Sequence, residues 1–224
     1  MALFNRKKST TSAAPAAASA PAAAPVAVLD RDAFGAATQA VGDVTGSYDL
    51  DVTHSRVGFS ARHAMVTTVR GAFTDFAGEA TIDTAEPARS SVTLTIQAAS
   101  VNTGQEQRDG HLRTGDFFDV ETYPTITFVS TQVSRPEADL WSIAGELTIK
   151  DVTRPVTVEF EQTGSAKDPY GNLRVGFEGS TTINRADWGL SFNAALETGG
   201  VLVSDKIKLE FDVSAIKNAP EQSA

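Results

Sequence analysis

Trp141-Ser142-Ile143-Ala144-Gly145-Glu146-Leu147-Thr148-Ile149-Lys150 divides residue by residue into two sets. Successive side chains of an extended chain point to opposite faces, so Trp141, Ile143, Gly145, Leu147 and Ile149 share one side and the intervening residues share the other. The same period of two runs through Val92, Leu94, Ile96 and Ala98, and through Ile207, Leu209, Phe211 and Val213. This pattern predicts an antiparallel all-β protein with one private apolar face, and function is expected inside that face.

Outward from this stretch, strand-like segments cover 57–63, 69–76, 78–83, 92–101, 126–133, 140–150, 156–163, 173–183 and 207–213. Turn chemistry separates them: Pro87 with Ser90, Pro136 with Asp139, the segment 151–155, and Asp168-Pro169-Tyr170-Gly171-Asn172. So many strands would leave long edges in an open sheet, which predicts closure into a barrel or a sandwich. One stretch, 103–118, loses the period of two and predicts a short helix near 104–117, with Leu112, Phe117 and Phe118 turned onto the barrel and Gly110 and Gly115 weakening it.

Residues 1–46 read as a disordered tail, because 9–28 is mostly Ala, Ser and Pro, with Pro15, Pro21 and Pro25 interrupting any helix. A short helix over 32–41 competes there, capped by Asp30 or Asp32 and weakened by Gly35. Domain boundaries fall at 1–46 for the tail, 47–216 for the barrel and 217–224 for a C-terminal tail. Arg6, Lys7 and Lys8 before an alanine-rich run resemble the start of a secretory signal, yet the prolines leave no apolar run of the ~7 to 15 residues a signal needs. The expectation is a cytoplasmic protein, with secretion as the minority alternative.

Four cations against three carboxylates give the first 46 residues a charge of +1, so the overall −9 leaves −10 on the rest. Such a surface repels nucleic acid, and no nucleic-acid partner is expected. Zero cysteines excludes disulfides, thiolate metal sites and cysteine nucleophiles. Transient membrane contact and a homodimer stay open.

A barrel of about eight strands is just wide enough either to be filled by side chains or to hold one small ligand. Large inward residues, Phe59, Phe73, Phe128, Trp141, Ile143, Leu147 and Phe177, alternate with small ones such as Ala61, Gly71, Ala98, Ser130, Gly145 and Gly179. Small residues leave room, which favours a hollow barrel; interdigitation with the large ones gives a filled one. On the hollow reading Gly145→Phe blocks the tunnel.

Several ordered motifs carry a family resemblance. Tyr48-Asp49-Leu50-Asp51, His54-Ser55-Arg56-Val57-Gly58-Phe59 and Gly71-Ala72-Phe73 open the series, and Ser100-Val101-Asn102-Thr103-Gly104, Arg108-Asp109-Gly110-His111-Leu112 and Tyr123-Pro124-Thr125-Ile126-Thr127-Phe128 continue it. Gly145-Glu146-Leu147-Thr148-Ile149-Lys150-Asp151-Val152-Thr153-Arg154-Pro155 and Asn184-Arg185-Ala186-Asp187-Trp188-Gly189-Leu190 close it. Together they resemble the YceI-like family of lipocalin-like barrels over roughly 46–216. Trp188 stands where Phe is more usual. The resemblance implies an extended antiparallel barrel that encloses a long apolar chain, typically a polyisoprenoid or a quinone tail, and so a lipid-binding or transport role with that lipid as the sole bound group. The best-known members also carry a secretory signal.

Within that reading the apolar wall consists of Phe59, Ala61, Phe73, Phe128, Trp141, Ile143, Gly145, Leu147 and Phe177. Arg108 and His111, in the predicted helix beside the opening, are candidates for a polar mouth that meets an isoprenoid headgroup, since a guanidinium can hold two diphosphate oxygens at once. Arg108 and Asp109 serve equally as structural ion-pair residues. Three histidines, His54, His63 and His111, are too scattered for a metal site, and no nucleophile elbow or phosphate-binding glycine loop occurs. No catalytic residue and no metal is expected. Two alternatives remain: an enzyme acting on a prenyl-type substrate through Arg108 and His111, and a filled barrel that acts through its surface as a stress or interaction protein.

Overall fold

The computed structural model describes residues 43–195 and 201–219. Of the tail expected over 1–46, residues 1–42, with the helix at 32–41, lie outside the described residues. Val44, by contrast, is buried in the core and the first strand starts at Gly46, because the Tyr48 phenol holds Val44 O against the barrel. Within them are eleven strands: β1 (Gly46–Leu50), β2 (Arg56–His63), β3 (Thr67–Phe73), β4 (Phe76–Ile82), β5 (Ser91–Gln97), β6 (Val101–Asn102), β7 (Thr125–Ser134), β8 (Leu140–Ile149), β9 (Val152–Lys167), β10 (Leu173–Asn184) and β11 (Val203–Lys217). One helix, α1 (Glu106–Arg113), joins β6 to the turn before β7.

Hydrogen bonding runs β1-β4-β5-β7-β8-β9-β10-β11 and returns to β1, so the sheet closes into an eight-stranded antiparallel barrel. The remaining three strands are continuations. β2, β3 and β6 extend β1, β4 and β5 beyond a crease formed by a 3₁₀ turn at Val52–His54, a break at Thr74 and Asp75, and a 3₁₀ turn at Ala98–Ser100. Side chains and backbone restore the lost ladder there: Gln97 N–H donates to Asp75 O (2.9 Å), Ser100 Oγ donates to Gln97 O (2.7 Å), and Ser214 N–H donates to Ser55 Oγ (2.9 Å). The predicted strands 69–76 and 92–101 are therefore each one bent strand in two pieces, because buried backbone groups at a bend must find other partners.

β11 is the spine of the closure. Its residues Val203 to Asp212 pair with β2, Ala215 to Lys217 pair with β1, and its other edge pairs with β10 over eleven residues. Closing the ring pairs every one of the eight strands on both sides, and the unpaired stretches that remain are partial, such as 67–71 on β3 and 152–158 on β9.

Two register slips decide which side chains face inward. β7 carries a bulge at Thr131, between the pairs Ser130 with Gly145 and Gln132 with Ala144. The extra residue shifts the parity, so Ile126, Phe128 and Val133 all face the interior despite their uneven spacing. β9 has a second bulge, opposite Gly176 and Phe177. The predicted turn over 151–155 shrinks to Lys150 and Asp151, with Lys150 in the left-handed region (φ 58°). Pro155 lies inside β9, opposite Glu146, where β8 is the only strand partner because β10 joins β9 from Glu159 onward. A residue without an N–H is tolerated at such a one-sided position.

The predicted helix over 104–117 is shorter than expected. It starts after Gln105, whose side chain accepts from Arg108 N–H, and stops at Thr114, whose N–H and hydroxyl both turn back to His111 O. The following turns bring Phe117 and Phe118 onto the barrel.

Candidate functional site

The barrel interior holds a cavity of about 280 Å³. Its lining runs from Tyr48, Ile82 and Ala215 at one end to Ala61, Ile183 and Val203 at the other. Along β11 that distance is roughly 40 Å at ~3.3 Å per residue. The volume sits near the lower limit of the ~300 to 1,000 Å³ typical of ligand pockets, so the space is long and narrow, neither filled nor wide. Phe59, Phe73, Phe128 and Phe177 lie on the inner face yet are only half-buried, because they border this space instead of close-packed neighbours.

Of the nine residues expected to form the wall, Phe59, Ala61, Phe73, Phe128, Trp141, Ile143, Leu147 and Phe177 line the cavity. Gly145 does not, which corrects the expectation for that residue. Gly145 is buried on the inner face, but the ring of Phe128 covers it: a Cβ there would lie 2.7 Å from Phe128 Cε2 and 2.5 Å from Val129 O. The same arrangement recurs twice. A Cβ on Gly71 would lie 2.5 Å from Phe59 Cζ, and one on Gly179 would lie 2.5 Å from Phe160 Cδ1. Each glycine thus lets a neighbouring ring lie flat against the sheet. The glycines give room to the phenylalanines, and only through them to the lumen.

At one end, Tyr48 closes the cavity as its phenol donates to Val44 O, and burial together with the nearby Asp43 charge pushes that phenol up to about 12. Trp141 packs edge-on against Phe177 (centroids 6.4 Å apart), and its Nε1–H donates to Gln162 Oε1 at 3.2 Å. Toward the other end, the turn after α1 and the segment following β10 join the wall. Leu112, Phe117 and Phe118 line the space from one side and Leu190 from the other. His111 joins the two, its ring edge-on to both Phe117 (5.2 Å) and Phe192 (4.8 Å).

Arg108 and His111, the expected headgroup contacts, do not line the cavity. Arg108 turns back on its own loop: Nε donates to Thr103 Oγ1 (2.7 Å) and Nη2 to Thr103 O (2.9 Å). The buried Asp109 accepts from both the N–H and the hydroxyl of Thr103. His111 Nε2 lies 2.7 Å from Asp116 Oδ2. Arg108 and Asp109 therefore clamp the connection from β6 into α1, while His111 ties α1 to the turn that follows it. His54 lies beside Asp51 and Thr53 on the crease, whereas His63 is exposed at the far end of β2.

The charged side chain that does border the cavity is Arg185, 5% exposed, which the sequence reading passed over. Its guanidinium donates to Phe192 O (2.8 Å), Leu190 O and Ser204 O (3.1 Å), and pairs with Asp205 (3.1 Å). It fixes the 185–192 segment to the start of β11 and presents no free charge to the interior. Glu79, also at the wall, is exposed and sits between the inward Gly78 and Ala80, so its carboxylate faces water. Trp188 packs in the core without lining the cavity, its Nε1–H donating to Leu147 O at 3.0 Å.

Outside the lumen, Arg174 bridges Asp51 on the crease and Asp168 in the turn between β9 and β10. Burial alone would raise both carboxyls. Hydrogen bonds from Thr53, Arg174 and His54 instead hold Asp51 well below the usual carboxylate range, and those from Asn172, Arg174 and Tyr170 bring Asp168 down to about 2.

A closed eight-stranded barrel around a narrow, apolar lumen, with its bordering guanidinium paired, defines a lipocalin-like architecture. The family's YceI-like domain model matches residues 48–215, and the chain belongs to that family. It is similar to the UPF0312 protein SAS2572 of Staphylococcus aureus, 38% identical over 165 residues covering 73% of this chain and 94% of the relative. It is also similar to the UPF0312 protein PA0423 of Pseudomonas aeruginosa, 39% identical over 145 residues covering 65% of this chain and 75% of the relative. Among solved structures it resembles BcnA of Burkholderia cenocepacia (TM-score 0.64, 27% identity, 74% of this chain and 98% of that one). The YCEI protein of Campylobacter jejuni is comparable (TM-score 0.61, 29% identity, 70% and 90%). A polyisoprenoid-binding domain from Saccharophagus degradans shares the fold (TM-score 0.59, 22% identity, 76% and 98%).

Proposed function

We propose that the barrel binds and carries a long-chain apolar lipid of the polyisoprenoid or quinone-tail class, held lengthwise in the lumen, and that it does so without catalysis. The observation that carries this reading is the shape and chemistry of the cavity: elongated, ringed by phenylalanine and aliphatic side chains, with its one bordering guanidinium fully engaged by backbone carbonyls and Asp205. The Saccharophagus degradans domain of the same fold, described as polyisoprenoid-binding, accords with it. Burying apolar chain is worth ~0.8 kcal/mol per CH₂, so a long tail exceeds the ~18 to 21 kcal/mol at which affinities saturate, before the cost of ordering the chain is subtracted. Tight binding needs no charged contact. Selectivity then resides in tunnel length and in the flat-lying rings that set its width.

The test is native mass spectrometry of gently purified protein, followed by organic extraction. A long-chain apolar lipid released from the folded barrel is the expected result. Protein that carries none, and that takes up no long prenyl alcohol when offered one, would replace this reading with a filled barrel that works through its surface.

A further inference from the structure

The turn between β2 and β3 is built from the wrong residues for its geometry. His63-Ala64-Met65-Val66 closes through Val66 N–H to His63 O (3.0 Å), with Ala64 at φ 50° and Met65 at φ 58°. His63 pairs with Thr67, so the loop has three residues, and the two left-handed positions at the centre of its 63–66 turn call for Asn and Gly; side chains there are strained. Here the loop instead displays an apolar tip: Met65 is 60% exposed and Val66 75%. Val201, 39% exposed, lies alongside, because Ala64 N–H donates to Leu202 O (2.8 Å).

A cation sits directly behind that tip. Arg62 donates through Nη2 to Met65 O (3.0 Å) and Val66 O (3.2 Å), and through Nη1 to Thr68 Oγ1 (3.0 Å). His63 is exposed beside it. Arg62 and His63 are the basic residues at the tip itself, whereas Arg56 and Arg70 lie farther along the sheet in a surface cleft shared with Glu159, Glu161, Glu178, Glu210 and Asp212. Apolar residues at an exposed extremity with cations one layer behind match the boundary between acyl chains and anionic headgroups.

We propose that the β2–β3 tip docks the barrel onto an anionic bilayer, Met65 and Val66 entering the acyl boundary while Arg62 and His63 meet lipid phosphates. The tip stands at the rim of the lumen: Ala61 lines the cavity, and His63 pairs with Val203, which lines it too. Docking there sets that end of the tunnel against the membrane, where an apolar cargo is loaded or released. The purpose of the contact rests on the lipid-carrying reading, but its test does not.

The experiment is flotation of the full chain with vesicles of equal phosphatidylglycerol and phosphatidylcholine, against vesicles of phosphatidylcholine alone. The informative variant is Ala64→Asn with Met65→Gly, which supplies the residues the turn geometry prefers while removing the Met65 side chain from the apolar tip. The wild type is expected to float with the anionic vesicles and to be released by high salt. The double variant is expected to partition about tenfold more weakly, with an undiminished melting temperature and unchanged lipid content on extraction. A wild type that stays free of anionic vesicles, that binds both vesicle types equally, or that instead self-associates through the tip would overturn the proposal, as would a double variant that floats like the wild type. If the extracted protein holds no lipid while vesicle binding and its loss in the variant persist, the carrier reading falls and the docking surface stands.

Discussion

The ring of Phe128 lies over Gly145 and takes the place a side chain there would need, with Val129 O only 2.5 Å from that position. Because one of the blocking atoms is backbone, Gly145→Phe cannot simply fill the tunnel. It is expected to destabilise the fold, by more than the ~1 to 3 kcal/mol usual for overpacking, or to prevent folding, as measured by urea denaturation. A correctly folded variant of near wild-type stability would show that the β7–β8 face can part.

Gly71 is the site where lumen width can be changed cleanly. The atoms that would meet its Cβ belong to the side chains of Phe59 and Thr103, so Gly71→Ala can push the Phe59 ring into the cavity. We expect a cost of about 1 kcal/mol and weaker uptake of long prenyl alcohols in native mass spectrometry, both reversed in part by adding Phe59→Leu.

Arg185 should matter for stability more than its single carboxylate partner suggests. Replacing it by Met leaves the carbonyls of Leu190, Phe192 and Ser204 without their shared donor in a site that is nearly closed to water. A loss of roughly 3 kcal/mol is expected. Arg185→Lys should recover little of it, since an ammonium cannot reproduce the planar fork.

Trp188→Phe tests the residue that departs from the more usual one. The variant keeps an aromatic ring but leaves Leu147 O without the indole donor at 3.0 Å, so thermal denaturation should report a loss of about 1 to 2 kcal/mol. Lipid uptake should be unchanged, because Trp188 packs behind the wall.

The Asp51–Arg174–Asp168 bridge predicts an acid limit. Both carboxyls titrate below their unfolded values near 3.9, so the stability they add is complete above about pH 4 and is lost as pH falls through about 2. Arg174→Gln should lower the urea midpoint at neutral pH and flatten its decline between pH 4 and 2. An unchanged slope in that window would show that the acid loss originates elsewhere.

Strand identity and the inward set were legible because a period of two is a local property of the chain: eight of nine wall residues line the cavity, and each lies on a strand read from alternation. The exceptions depended on distance. That Gly145 is shielded follows from Phe128 on a neighbouring strand, whose parity slips at Thr131 only after the ring has been placed. Basic residues near an opening suit a headgroup, yet Thr103 and Asp116 claim Arg108 and His111 within a few residues. The role of Arg185 is not legible in the sequence because its partners are mostly carbonyls, which leave no trace in side-chain composition.

β11 carries a last implication for how the molecule is made. Ser55 and Ser214, which bond across the seam, stand 159 residues apart in sequence. A nascent chain leaving the ribosome therefore has Ser55 waiting through 159 further residues of synthesis before Ser214 emerges, with the future inner surface wet throughout. Pairings this remote are slow and invite aggregation, so the interval between synthesis and sealing is when this protein would most need a chaperone.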